Sequence, residues 1–226
     1  MDDTYLNTLW EFVRGDLAVP EFEAWLYSHD DVEAALGSTL YLEVISADYR
    51  SSYEIFDVRE KLRSILPAPL DCLCITLPNL AIIPMGGDGL DRQFFATVRE
   101  VQRYGRELWW LQLERCSACG QNWLVAQEER IYDDYMLKRL NADEAGNIVD
   151  KDRWPDDFRT YEAVLEVGKQ LSNAYRFADP MSPTLIHTIQ ELKLSRPKIT
   201  EQEVAELLGI TPEHVAALTK RMTSIG

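Results

Sequence analysis

Leu111-Gln112-Leu113-Glu114-Arg115-Cys116-Ser117-Ala118-Cys119-Gly120-Gln121-Asn122-Trp123-Leu124 reads as two strands folded back on each other. Apolar and polar residues alternate through Leu111, Gln112 and Leu113, Trp123-Leu124 opens the return, and a glycine closes the turn. The pattern continues outward. Residues 94–103 and 107–115 read as strands around a turn at Gly105. Residues 122–126 and 131–137 extend the pattern, and 70–83 are rich in alternating apolar side chains. A β-rich module is therefore expected over residues 67–140. Its glycine-rich stretch from Pro84 to Gly89 is not a phosphate loop, because it lacks the Gly-Lys-Ser/Thr ending and the strand–loop–helix setting.

Helical patterns flank this module. Residues 1–66 read as four short helices and a helical turn. Leu6, Leu9, Trp10 and Val13 form one apolar stripe stopped by Gly15, and Pro20 opens a second helix carrying Phe22, Trp25 and Leu26. A turn over 31–36 ends at Gly37, Ser38 starts a helix with Leu40, Tyr41, Val44 and Ile45, and Ser51 or Ser52 caps the last. That last helix is expected to point Ile55, Val58, Leu62 and Ile65 inward. Residues 141–181 read as a polar connector followed by a helix with Val164, Leu165, Gly168 and Leu171 on one side. Residues 182–226 read as three helices, with Thr200 and Glu203 as a capping-box pair and Thr211 capping the third. The expected class is α+β: an amino-terminal helical bundle, a central β-rich module and a carboxy-terminal trihelical unit.

The four cysteines are Cys72, Cys74, Cys116 and Cys119. Cys116-Ser-Ala-Cys119-Gly120 resembles the knuckle of zinc ribbons, in which two-residue spacing aims both thiolates at one ion. Cys72 and Cys74, as alternate residues of a strand, would face one side and complete a four-cysteine set with no position left for water: a structural zinc, not a catalytic one. A knuckle that has lost its metal, with Cys72 and Cys74 as buried thiols, fits the sequence as well. A thioredoxin-like redox motif does not, since the knuckle lies between strands and not at a helix start.

Net charge is −15, and it is unevenly placed. Residues 1–66 hold 14 acidic and 5 basic side chains (net −9), residues 67–181 hold 19 and 13 (net −6), and residues 182–226 hold 5 of each. Such a field repels nucleic acid backbones and speeds encounter with basic partners. No apolar run is long enough to span a bilayer, and Met-Asp-Asp-Thr begins the chain without a basic region or apolar signal core, so a cytoplasmic location is expected. The three histidines, His29, His187 and His214, fall on separate segments with no His-Glu-x-x-His pattern and no nucleophile elbow. Asp133 and Asp134, adjacent on a strand, would point to opposite faces. No enzyme is expected, and no small-molecule substrate or cofactor beyond the zinc.

Two segments resemble known families. Phe12-Val13-Arg14-Gly15-Asp16, Glu21-Phe22-Glu23, Leu40-Tyr41-Leu42-Glu43 and Val58-Arg59-Glu60-Lys61-Leu62 together resemble the helical immunity family typified by the colicin D inhibitor, across most of residues 5–66. The resemblance implies a small acidic bundle that plugs the basic cleft of a nuclease toxin. Asp16, Glu21, Glu23, Asp30, Asp31 and Glu33 are then the candidate toxin contacts. The family's bundle normally stands alone, whereas this chain adds about 160 residues. Glu201 to Arg221 resembles a bacterial helix-turn-helix, with Ala205 at the small position and Gly209 in the turn. That likeness implies DNA contacts from Thr211, His214, Lys220 and Arg221. Only two of these are cationic, Glu213 lies among them, and the unit is neutral, so its affinity for phosphates is small. The leading expectation is an immunity protein that occludes a cationic toxin in bacterial competition. The alternative is a zinc-stabilised helix-turn-helix regulator or antitoxin-type repressor.

Overall fold

A computed structural model describes residues 3–29, 31–67, 72–86, 89–105, 110–129, 133–171 and 183–222. The protein is a mixture of helix and antiparallel sheet that divides into two compact units, residues 1–80 and 81–226. The first unit holds residues 1–66 together with residues 67–80 of the block expected as β-rich over 67–140, and the second holds residues 81–226.

The first unit is built from α1 (Asp3–Arg14), α2 (Val19–Tyr27), α3 (Val32–Leu36), α4 (Ser38–Ile45), α5 (Ser52–Ile65) and a 3-10 turn (Leu73–Ile75). Gly15 ends α1 at φ +83°, a conformation that side chains with a Cβ rarely adopt. Pro20 sits in the first turn of α2, and Ser51 caps α5 by accepting from the Glu54 amide at 3.3 Å. Leu9, Phe12, Phe22, Leu26, Val44 and Leu62 are wholly buried. Phe12 and Phe22 stack with ring centroids 3.6 Å apart, and the Arg59 guanidinium lies 4.9 Å from the Phe12 ring centroid. Tyr49 donates to the Val44 carbonyl at 2.8 Å, and burial pushes its phenol pKa up. Ile65 departs from expectation: it is 56% exposed, because α5 ends there and Leu66, 5% exposed, turns into the core in its place.

In the second unit, β1 (Leu80–Pro84), β2 (Val98–Tyr104), β3 (Trp110–Cys116), β4 (Asn122–Glu128) and β5 (Asp134–Leu140) form one sheet ordered β1-β5-β4-β3-β2. Strands β2 to β5 are an antiparallel meander in which Leu113 pairs with Leu124, and Glu114 lies between Glu100 and Trp123. Two segments expected as strand are not. Residues 94–97 belong to α6 (Leu90–Thr97), where Phe94 packs edge-on against Trp123 and Phe95 against Tyr135. Trp123 and Tyr135 share one sheet face, and neighbouring residues can both reach it from a helix but not from a strand. Within 72–83, Thr76 folds back, its amide and hydroxyl both donating to the Leu73 carbonyl, and strand begins only at Leu80.

The connector holds α7 (Ala142–Lys151), started by a capping box between Asn141 and Glu144. It is followed by α8 (Tyr161–Gln170), α9 (Pro183–Ser195), α10 (Glu201–Leu208) and α11 (Pro212–Met222). The Thr200–Glu203 capping box forms as read, and Gly209 turns the chain at φ +64°. Helix α10 packs on both α8 and α11, so the trihelical tail is continued by α8. Leu171, expected on the buried side of α8, is 36% exposed just past its end. Among the described residues no helix is long and apolar enough to cross a membrane.

Candidate functional site

The cysteine turn is set by its backbone. The Cys116 amide donates to the Gln121 carbonyl, and the Gly120 amide to the Cys116 carbonyl, each at 2.9 Å. Gly120 adopts φ +76°; a Cβ there would meet nothing nearer than Arg115 at 3.8 Å, so conformation and not space calls for glycine. The Ser117 amide donates to the Thr97 carbonyl at 2.8 Å, tying the turn to the end of α6. Cys72 is extended (φ −147°, ψ 157°) and Cys74 lies inside the 3-10 turn. The two are therefore brought to one side by a turn, and not by the strand alternation expected from sequence.

The sulfur-bearing groups of Cys72, Cys74, Cys116 and Cys119 all lie within 4.8 Å of one another, and none is in a disulfide. Cys74 and Cys116 are buried, Cys72 is half-buried and Cys119 is exposed. A tetrahedral thiolate site with Zn–S of about 2.3 Å needs sulfurs about 3.8 Å apart, so a slight contraction of this cluster seats an ion. Four soft sulfur donors suit zinc or iron and are poor partners for magnesium or calcium. These four cysteines could hold a metal ion.

The carboxylates expected to contact a toxin separate into two kinds. Glu21, Asp31 and Glu33 are exposed, Glu23 is half-buried, and Asp30 lies outside the described residues. Asp31 accepts from the Tyr5 hydroxyl. Asp16 is different. Its side chain is 6% exposed, it pairs with Arg14 at 2.7 Å, and it accepts from the Asn79 amide at 2.7 Å. Arg14 in turn donates to the Ile75 carbonyl at 2.9 Å. This pair clamps residues 75–79, the segment that leads directly out of Cys72 and Cys74, so Asp16 works inside the fold and not at its surface.

On the tail, Thr211, Lys220 and Arg221 are exposed and His214 is half-buried. The Thr211 hydroxyl accepts from the His214 amide at 3.3 Å, which makes it a cap. Asp133, expected on one strand with Asp134, instead precedes β5 at φ +58° and is exposed, whereas Asp134 is 1% exposed. Sequence reading missed the carboxylate that Asp134 does meet. Glu128, wholly buried, is its register partner across β4 and β5, and Tyr161 donates its hydroxyl to Glu128. The only sequence signal was an acidic residue at each end of a hairpin. Both carboxylates are buried. Comparison with family models, with curated proteins and with solved structures gives no match.

Proposed function

We propose that this chain is a non-catalytic binding protein of the immunity type, whose acidic amino-terminal bundle occludes a cationic toxin domain, with a structural zinc ion on its four cysteines. The observation that carries the reading is the net charge of −9 within the first 66 residues, with Glu21, Asp31 and Glu33 exposed on the bundle. A nuclease cleft is cationic because it holds phosphates, so an acidic protein surface competes with its substrate and is steered toward it. Co-expression tests this. The chain is expected to restore growth to cells expressing a basic toxin domain that it binds, and the complex should weaken as salt is raised. Growth rescue that persists when Glu21, Glu23 and Glu33 and the remaining exposed carboxylates of the bundle are changed to Gln would refute the electrostatic basis.

Zinc is the ion proposed because four thiolates with no open position, two of them from a Cys-x-x-Cys turn, are the ligand set of structural zinc sites. One equivalent of zinc per chain is the expected stoichiometry. A second reading rests on α10, the Gly209 turn and α11, which together have the order of a helix-turn-helix. It requires sequence-specific DNA binding that is lost on Lys220→Ala with Arg221→Ala.

A further inference from the structure

A file of rings runs from the core of the bundle to its surface. Phe12 and Phe22, both wholly buried, stack on each other, and Phe22 stacks in turn on Trp25 with centroids 5.8 Å apart. Trp25, His29 and Tyr5 are half-buried. The Trp25 and His29 rings lie 5.3 Å apart, and Tyr5 of α1 stands edge-on to both, at 6.0 and 5.8 Å. The Tyr5 hydroxyl donates to the exposed carboxylate of Asp31, and Glu21, also exposed, lies one helical turn before Trp25 on α2. The His29 Nδ1 is 2.8 Å from the Trp25 carbonyl, which can only accept. Nδ1 therefore carries the proton, and the neutral ring keeps an acceptor at Nε2. Three half-buried rings, two carboxylates and a ring nitrogen gather where α1 and α2 adjoin.

The charge at this place is local. Residues 1–36, which carry the cluster, hold nine acidic side chains and one basic one, Arg14, which is paired with Asp16. The cations of α5 lie elsewhere. That helix runs antiparallel to α1: Trp10 donates to the Pro67 carbonyl, Arg63 to the Val13 carbonyl, and Arg59 covers Phe12. Tyr5 comes seven residues before Phe12, about 10 Å along the axis from that guanidinium. Lys61 is held between Glu43 and Asp57. Among the described residues neither Asp31 nor Glu21 forms an ion pair, and the hydroxyl on Asp31 is a neutral donor, so both charges are uncancelled. Such a surface repels a second copy of itself and any nucleic acid. A guanidinium fits it: it lies flat on an indole face, and its in-plane N–H groups reach acceptors at the ring edge, here Asp31 and His29 Nε2. We propose that Tyr5, Trp25, His29 and Asp31 form the seat for one arginine side chain of a basic partner protein. This rests on the reading that the bundle binds a cationic protein, and it supplies a point of anchorage within the acidic field.

The test places the photo-crosslinker benzoylphenylalanine at exposed position 24 or 28 of the full chain, beside Trp25, and for comparison at 56 on α5, in cells of the organism that makes it. Adducts are expected from 24 and 28 with a protein of net positive charge. That protein, purified, should lose at least about tenfold in affinity on Trp25→Leu and on Asp31→Asn. It should lose about twofold or less on Glu11→Gln, a carboxylate exposed on another face of α1, whose effect is long-range only. Changing the partner's arginine at the crosslink to Lys should reproduce the larger loss. Asp31 is exposed, so Asp31→Asn should leave the melting temperature nearly unchanged, which keeps the test clear of any unfolding caused by Trp25→Leu. Equal losses on Asp31→Asn and Glu11→Gln at one salt concentration, or full affinity in Trp25→Leu, overturn the proposal and leave the cationic-partner reading standing. So do adducts with a basic protein from 56 alone. Adducts with a second copy of the chain or with an acidic protein, or none from any of the three positions, overturn both.

Discussion

Glu114 offers a quantitative test of how the sheet is balanced. It is 5% exposed in the middle of β3, opposite Glu100 on β2. Burial raises its pKa, the Glu100 charge adds to the rise, Arg103 and Arg99 oppose it, and the result is about 7 against an ordinary 4.5. The folded chain therefore holds this proton more tightly than the unfolded chain does. Between about pH 4.5 and pH 7 stability falls as pH rises, and above pH 7 the whole cost is present. At 1.36 kcal/mol for each pH unit, that cost is at most about 3 kcal/mol. Glu114→Gln keeps the shape of the protonated acid and cannot ionise. Its advantage over wild type should be close to zero near pH 4.5 and grow to between about 1 and 3 kcal/mol near pH 8. Amide hydrogen exchange of β3 and β4 in both proteins reads this locally, and carbon-13 titration of the Glu114 carboxyl reads the pKa directly. A carboxyl titrating near 4, or a Gln variant with the same advantage at both pH values, would show that burial is not governing this group.

Three other outcomes follow from the geometry. Asp16→Ala removes one partner of a buried ion pair and a hydrogen bond to Asn79, so it should cost about 3 to 5 kcal/mol in urea unfolding. It should also weaken metal retention against a chelator, since the clamped segment, residues 75–79, follows directly on Cys72 and Cys74. Phe22→Ala should cost about 3 to 5 kcal/mol, whereas Tyr53→Ser, at a 77% exposed position, should change stability by less than about 0.5 kcal/mol. With zinc bound, thiol-reactive dye should label the four cysteines slowly and chelation should release all of them; Cys119→Ser should lower zinc affinity, measured by competition with a chromogenic chelator.

Periodicity, caps and turns were legible because each is a local signal. The stripe of Leu6, Leu9, Trp10 and Val13, the Ser51 cap and the Thr200–Glu203 box all appear where their spacing places them. Residues 94–97 were misread because Phe94-Phe95-Ala96-Thr97 has no alternation long enough to distinguish strand from helix; the decision lies with Trp123 and Tyr135, distant in sequence. The cysteine cluster was half legible. Cys116-x-x-Cys119-Gly120 announces its own turn, whereas Cys72 and Cys74 reach it by a 3-10 turn closed through Thr76, which their spacing alone does not reveal.

Acidic residues were the hardest to read, because sequence gives them one charge each and the fold gives them different surroundings. Asp16, Glu114, Glu128 and Asp134 are enclosed, and what they do is set by Arg14, Glu100 and Tyr161 beside them. Glu21 and Glu33 stand in water, where their contribution to a partner is long-range and screened by salt. Steering needs only the second kind, and affinity needs contacts that exclude water. The same division applies to the aromatics, since Phe12 and Phe22 stack in the core while Tyr53 and Phe56 are left outside it. Carboxylates spread over the bundle can bring a cationic protein near any of its faces.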